Sequence, residues 1–78
     1  MSRAAAALIT VPARTVVAEL SAAATGDKAA EVRSFAVEAL GWVGTANVLP
    51  ALHRSTQDPD PAVRRQAAIE LGRLADPS

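Results

Sequence analysis

The chain has 78 residues, eight basic and eight acidic side chains, one histidine and no cysteine. That size allows one small domain, and the missing cysteines remove disulfides, thiolate chemistry and Cys-type zinc sites while fitting a reducing, cytoplasmic setting. The balanced charge provides no general field to gather nucleic-acid phosphates or an anionic membrane. Half the residues are hydrophobic, yet nineteen are alanines and only Phe35 and Trp42 are aromatic, a composition suited to helices packed at short range.

In chain order, "RAAAALITV" comes first. The apolar run from Ala4 to Val11 is far below the roughly 20 residues of a membrane span and sits at the short end of a signal core, so it is expected to be a helix of the fold, about residues 3–11. A second helix is expected over about 13–24, carried by Val16, Val17 and Leu20. The third spans about 29–43, with Val32, Ala36, Ala39, Leu40 and Val43 at helical spacing and Gly44 placed to stop it. The fourth covers about 46–56, with Thr45 or Asn47 as its cap and Pro50 near its start. In the fifth, about 61–75, Val63, Ala67, Leu71 and Leu74 form the apolar stripe, Asp60 is the N-cap and Pro61 the first helical residue.

These segments repeat. Moving "DKAAEVRSFAVEALGWVG" by 31 positions lays it on "DPDPAVRRQAAIELGRLA", matching Asp27 with Asp58, Val32 with Val63, Arg33 with Arg64, Ala36 with Ala67, Leu40 with Leu71 and Gly41 with Gly72. A shift of 32 places Val16, Val17 and Leu20 on Val48, Leu49 and Leu52, and Ala4, Ala5, Ala7, Leu8 and Val11 on Ala36, Val37, Ala39, Leu40 and Val43. A period of this length marks a solenoid, in which no unit closes its own core. The expected fold is therefore all-α: a short right-handed α-solenoid of helix pairs, with a half repeat at 1–12 and whole repeats at 13–44 and 45–78. An exposed apolar half repeat at one end predicts stacking on another copy or on a host protein.

The stretch "DPDPAVRRQAAIELGRLADP" resembles HEAT-like repeats of the phycobilisome-lyase type through Asp58, Pro59, Val63, Arg64, Ala67, Ala68, Leu71 and Gly72. The earlier copy departs from it, with Lys28 and Ala29 where Pro59 and Asp60 stand. The resemblance implies an Asp/Arg ladder between adjacent units, which falls here on Asp27, Arg33, Asp58 and Arg64. It also implies an alternative reading, an accessory or remnant of a phycobilin-attaching lyase-type protein.

No catalytic motif is evident. HEAT-like hydroxylases carry His-Glu pairs on successive helices as iron ligands, and this chain has no His-Glu dipeptide. His53 has no persuasive spacing to Glu19, Glu31, Glu38 or Glu70, and there is no phosphate loop or nucleophile context. The expectation is a chain that is not an enzyme and takes no cofactor or small-molecule substrate. Its expected work is protein–protein interaction as a scaffold or adaptor.

Phe35 and Trp42, seven residues apart, share one helical stripe. The rings either pack on Ala4, Ala7 and Leu8 or anchor a partner. Ile69 aligns with Glu38 on the side away from the core, beside Arg65 and Arg73. The candidate partner-binding surface is therefore Phe35, Glu38, Trp42, Arg65, Ile69 and Arg73. Arg64, Arg65 and Arg73 form the one basic cluster, but no aromatic residue interleaves them and Glu70 is nearby, which argues against nucleic-acid binding.

Overall fold

A computed structural model describes residues 13–76. The expected first helix and half repeat fall outside the described residues. Four α-helices follow: α1 (Ala13–Gly26), α2 (Ala30–Val43), α3 (Leu49–Ser55) and α4 (Pro61–Ala75), with a 3-10 turn at Ala46–Val48 leading into α3. No strand occurs among the described residues.

The ends of these helices follow local chemistry. Gly44 stops α2 in the left-handed conformation, with φ 68° and its N–H bonded to Leu40 O at 3.0 Å, a backbone shape that glycine adopts without steric penalty. Asp60 caps α4 by accepting the Ala62 N–H at 2.8 Å, with Pro61 directly after it. Neither Thr45 nor Asn47 caps the following segment with its side chain, contrary to expectation. Instead Thr45 Oγ1 and Asn47 Oδ1 bond each other, and the backbone tightens so that Val48 N–H reaches Thr45 O at 3.1 Å. The Leu49 N–H bonds Ala46 O, occupying the carbonyl that an α-helical residue 50 would have used. Pro50 cannot donate, so the 3-10 turn accommodates it without leaving that carbonyl unpaired.

α1 packs on α2, α3 on α4, α2 on α4 and α1 on α3. Arg33 meets Asp58, Gly41 meets Glu70 and Trp42 meets Arg73. These pairs advance together along both chains, so α2 and α4 lie side by side and run the same way. The result is two stacked helix pairs. Their common interior holds Val17, Ala24, Ala36, Val37, Leu40, Val48, Ala51, Leu52, Val63 and Ala67.

Val16 and Val32, expected to face inward, are 38% and 42% exposed. Val63, the counterpart of Val32, is fully buried because it lies between described helices. On the equivalent side of Val32 no described helix is packed.

A glycine notch fixes how closely α4 approaches α2. Glu70, only 1% exposed, lies across Gly41, where an added Cβ would come within 2.6 Å of its Cδ and 2.8 Å of its Cγ. Gly41→Ala must push this buried side chain aside and is expected to destabilise the fold by about 1–3 kcal/mol. Urea unfolding should show the loss, and Glu70→Ala in the same chain should recover part of it by removing the obstructed atoms.

Candidate partner-binding surface

Arg33 crosses the interface between the two helix pairs at the N-terminal end of α2. Its Nε donates to Asp58 Oδ2 at 2.8 Å and its Nη2 to Asp58 Oδ1 at 3.0 Å. Meanwhile Nη1 donates to the carbonyls of Asp27 at 2.8 Å and Lys28 at 3.2 Å. One guanidinium thus closes the loop before its own helix and grips the equivalent loop of the next unit. Arg64 repeats the first half of this arrangement, its Nη1 donating to Asp58 O at 2.8 Å and Pro59 O at 3.1 Å.

Asp27 and Asp58 also share a local task. Each uses Oδ1 to accept a backbone N–H two residues on, from Ala29 and Asp60 respectively, both at 2.8 Å. This side-chain turn sets the approach to α2 and α4. α2 has this turn alone, because Ala29 at its cap position has no side-chain acceptor for the first-turn N–H groups, whereas α4 adds the Asp60 cap.

The paired N–H groups of Arg33 hold the Asp58 carboxyl below the usual carboxylate range; burial opposes that shift, and the Asp60 N–H adds to it. The same pairing holds the Arg33 guanidinium above its ordinary value. The two side chains are 14% and 7% exposed, so the bidentate pair is better shielded than a surface ion pair.

The residues of the candidate surface lie on the two parallel helices. Phe35 and Trp42 on α2 are 69% and 74% exposed, and Ile69 on α4 is 49% exposed. Ala4, Ala7 and Leu8, the alternative packing sites for the rings, lie outside the described residues. Glu38 and Arg65 are exposed. Arg65, Ile69 and Arg73 follow one another at spacings of four, forming a row along α4.

The structure joins the two helices at Trp42 and Arg73. The Arg73 guanidinium sits 5.5 Å from the Trp42 ring centre, within range for a cation–π contact. Arg73 Nη2 also lies 3.0 Å from Glu70 Oε1, an ion pair not aligned as a hydrogen bond. Glu70 Oε2 accepts from Gln66 Nε2 at 2.6 Å. A buried carboxylate therefore positions the cation that braces an exposed tryptophan. Glu70 was not singled out for this by the sequence, although its signal was present: Ala39 becomes Glu70 where Gly41 opposes it.

At the other end of the ridge, Phe35 borders a shallow groove of about 250 Å³ with Glu31, Ser34, Glu38, Asp60 and Ala62. Of the three clustered arginines, Arg64 holds loop carbonyls and Arg73 holds Glu70 and Trp42, whereas Arg65 forms no ion pair among the described residues. His53 is exposed on α3. Among the described residues no group of three or more His, Cys, Asp or Glu side chains is arranged to hold a metal ion.

The stacked helix pairs, with an acid–base pair across their seam, coincide with a match of the family model for HEAT repeats to residues 17–78. The chain belongs to the HEAT-repeat family. It is 55% identical over 40 residues to deoxyhypusine hydroxylase of Eremothecium gossypii, an alignment covering 51% of this HEAT-repeat chain and 12% of the relative. That relative is an enzyme, which corrects the expectation of a chain outside enzymology: sequence of this kind does occur within a catalytic protein. The chain spans about an eighth of the relative's length. No solved structure matches. No helix among the described residues is long and apolar enough to cross a membrane.

The direction of the Asp58 shift sets an acid response. Because the folded-state value lies below the unfolded one, about 3.9 for aspartate, the pair's stabilisation is present at neutral pH. It is lost as pH falls through the unfolded range toward the lower folded value. Asp58→Asn keeps an oxygen for the Asp60 N–H but removes the charge. Between about pH 6 and about pH 3, the urea midpoint of the parent chain should fall by more than that of the variant.

Proposed function

We propose that this HEAT-repeat chain is a protein-recognition scaffold whose contact surface is the ridge of second helices: Phe35, Glu38 and Trp42 from α2, with Arg65, Ile69 and Arg73 from α4. The observation that carries this reading is Trp42, 74% exposed and stacked by an arginine that a buried glutamate positions. A large ring kept in water and braced from beneath resembles an interface anchor, where Trp and Arg contribute much of the binding energy. Phe35 extends the same stripe, and the acidic rim around it offers a place for a cationic side chain of the partner. The absence of cysteine suits a cytoplasmic setting.

A second reading is favoured by the 55% identity to deoxyhypusine hydroxylase: the chain serves as part of the helical-repeat framework of an enzyme of that type. Finding this sequence within a larger purified protein that adds oxygen to a deoxyhypusine-bearing protein would support it, and a larger protein without that activity would contradict it.

The first reading predicts that Phe35→Ala/Trp42→Ala leaves far-UV circular dichroism and the urea midpoint nearly unchanged. Proteins retained by the parent chain in affinity capture should be lost from the double variant and kept by a control substitution away from the ridge, Arg14→Ala. A collapse of helicity in the double variant would instead assign the rings to the interior.

A further inference from the structure

The groove beside Phe35 lies between two described helices. One wall is the side of α2 that meets α4, with Ala30, Glu31, Ser34 and Glu38, and the other is the start of α4, with Asp60 and Ala62. Ser34 stands about 200° around the helix from Val32, so the groove opens away from the side of α2 that carries Val32.

Three of the lining side chains are carboxylates and none is basic. Asp60 uses one oxygen to cap α4 and lies within electrostatic reach of Arg33. The Arg33 donors, however, already go to Asp58 and to the carbonyls of Asp27 and Lys28. Glu31 and Glu38 form neither an ion pair nor a side-chain hydrogen bond among the described residues. In a chain whose charges cancel overall, this groove is locally acidic.

The chain itself shows what such a setting accepts. Seven residues along the same stripe of α2, Arg73 sits 5.5 Å from the Trp42 ring centre and 3.0 Å from a Glu70 oxygen. Ring, guanidinium and carboxylate form one unit there. Stepping back seven residues on both helices leads to Phe35 and Gln66, and Gln66 is turned to Glu70. The ring and the carboxylates are repeated beside the groove, but the arginine is not.

We infer that this groove receives an arginine side chain from a basic segment of a partner protein. The inference rests on the ridge as the contact surface and adds the chemistry of what it contacts. Phe35 offers a face to the guanidinium plane. Glu31, four residues before it, and Glu38, three after, share its side of the helix and take the N–H groups. Arginine fits better than lysine because its planar fork stacks and pairs at once. Because the carboxylates are exposed, this contact contributes a salt-sensitive part of the binding.

Nuclear magnetic resonance of the isotope-labelled full chain, titrated with a short Gly/Ser peptide bearing arginines, tests the inference. Signals of Glu31, Ser34, Phe35, Glu38 and Ala62 should move together. A peptide with citrulline, which keeps the shape and loses the charge, should bind at least about tenfold more weakly, with a lysine version between the two. Glu31→Gln/Glu38→Gln should lose a similar factor while circular dichroism and the urea midpoint stay near the parent values, since both side chains are exposed. No shifts, shifts centred on Trp42 instead, equal binding of citrulline, or undiminished binding by the glutamine variant would each overturn the inference. The ridge reading would survive any of these results, because it is decided by protein capture with and without Phe35 and Trp42.

Discussion

The Arg33 guanidinium connects two levels of organisation. One edge satisfies carbonyls of the loop that starts its own helix, and the other forms a bidentate pair with Asp58 on the equivalent loop of the next unit. A single planar group with fixed donors can do both, which a lysine cannot. The loop before α2 and the register of the neighbouring unit are consequently tied to one side chain.

Around that rung the packing is thin, as a small alanine-rich protein requires. Alanines and valines let the helices approach, and Gly41 lets a buried glutamate cross the seam. Glu70 then links interior to surface: it takes a hydrogen bond from Gln66, pairs with Arg73 and, through Arg73, braces Trp42. The stacking that stabilises the units therefore also shapes the outer ridge. On the proposed reading, recognition follows from repeat geometry, because the rings stand on helices that the stacking itself positions.

Much of this organisation was legible because repetition supplies internal comparison. The shift of 31 exposed the helical class, and Gly44, Asp60 and Pro61 have local chemistry that needs no tertiary context. Pro50 was harder: its missing N–H could be accommodated by a bend, a cap or a 3-10 turn, and the choice depends on which carbonyl Leu49 takes. Exposure was harder still. Val32 and Val63 occupy matching positions in sequence, yet one is open and the other enclosed, because burial in a solenoid depends on the neighbour. Glu70 escaped notice for a related reason, since a buried acid is recognisable only once the opposing glycine and the adjacent Gln66 and Arg73 are placed. Likeness to part of a much longer enzyme lay beyond motif reading altogether.

The most direct test of a rung that couples neighbouring units is a double-mutant cycle at Arg33 and Asp58, measured by urea unfolding at neutral pH. Asparagine at 58 preserves the acceptor for the Asp60 N–H, and glutamine at 33 removes the fork. With Arg33 present, Asp58→Asn should lower stability clearly; after Arg33→Gln, the same change should cost much less. Equal losses in both backgrounds would show that the two side chains act separately and that the units are registered by packing alone.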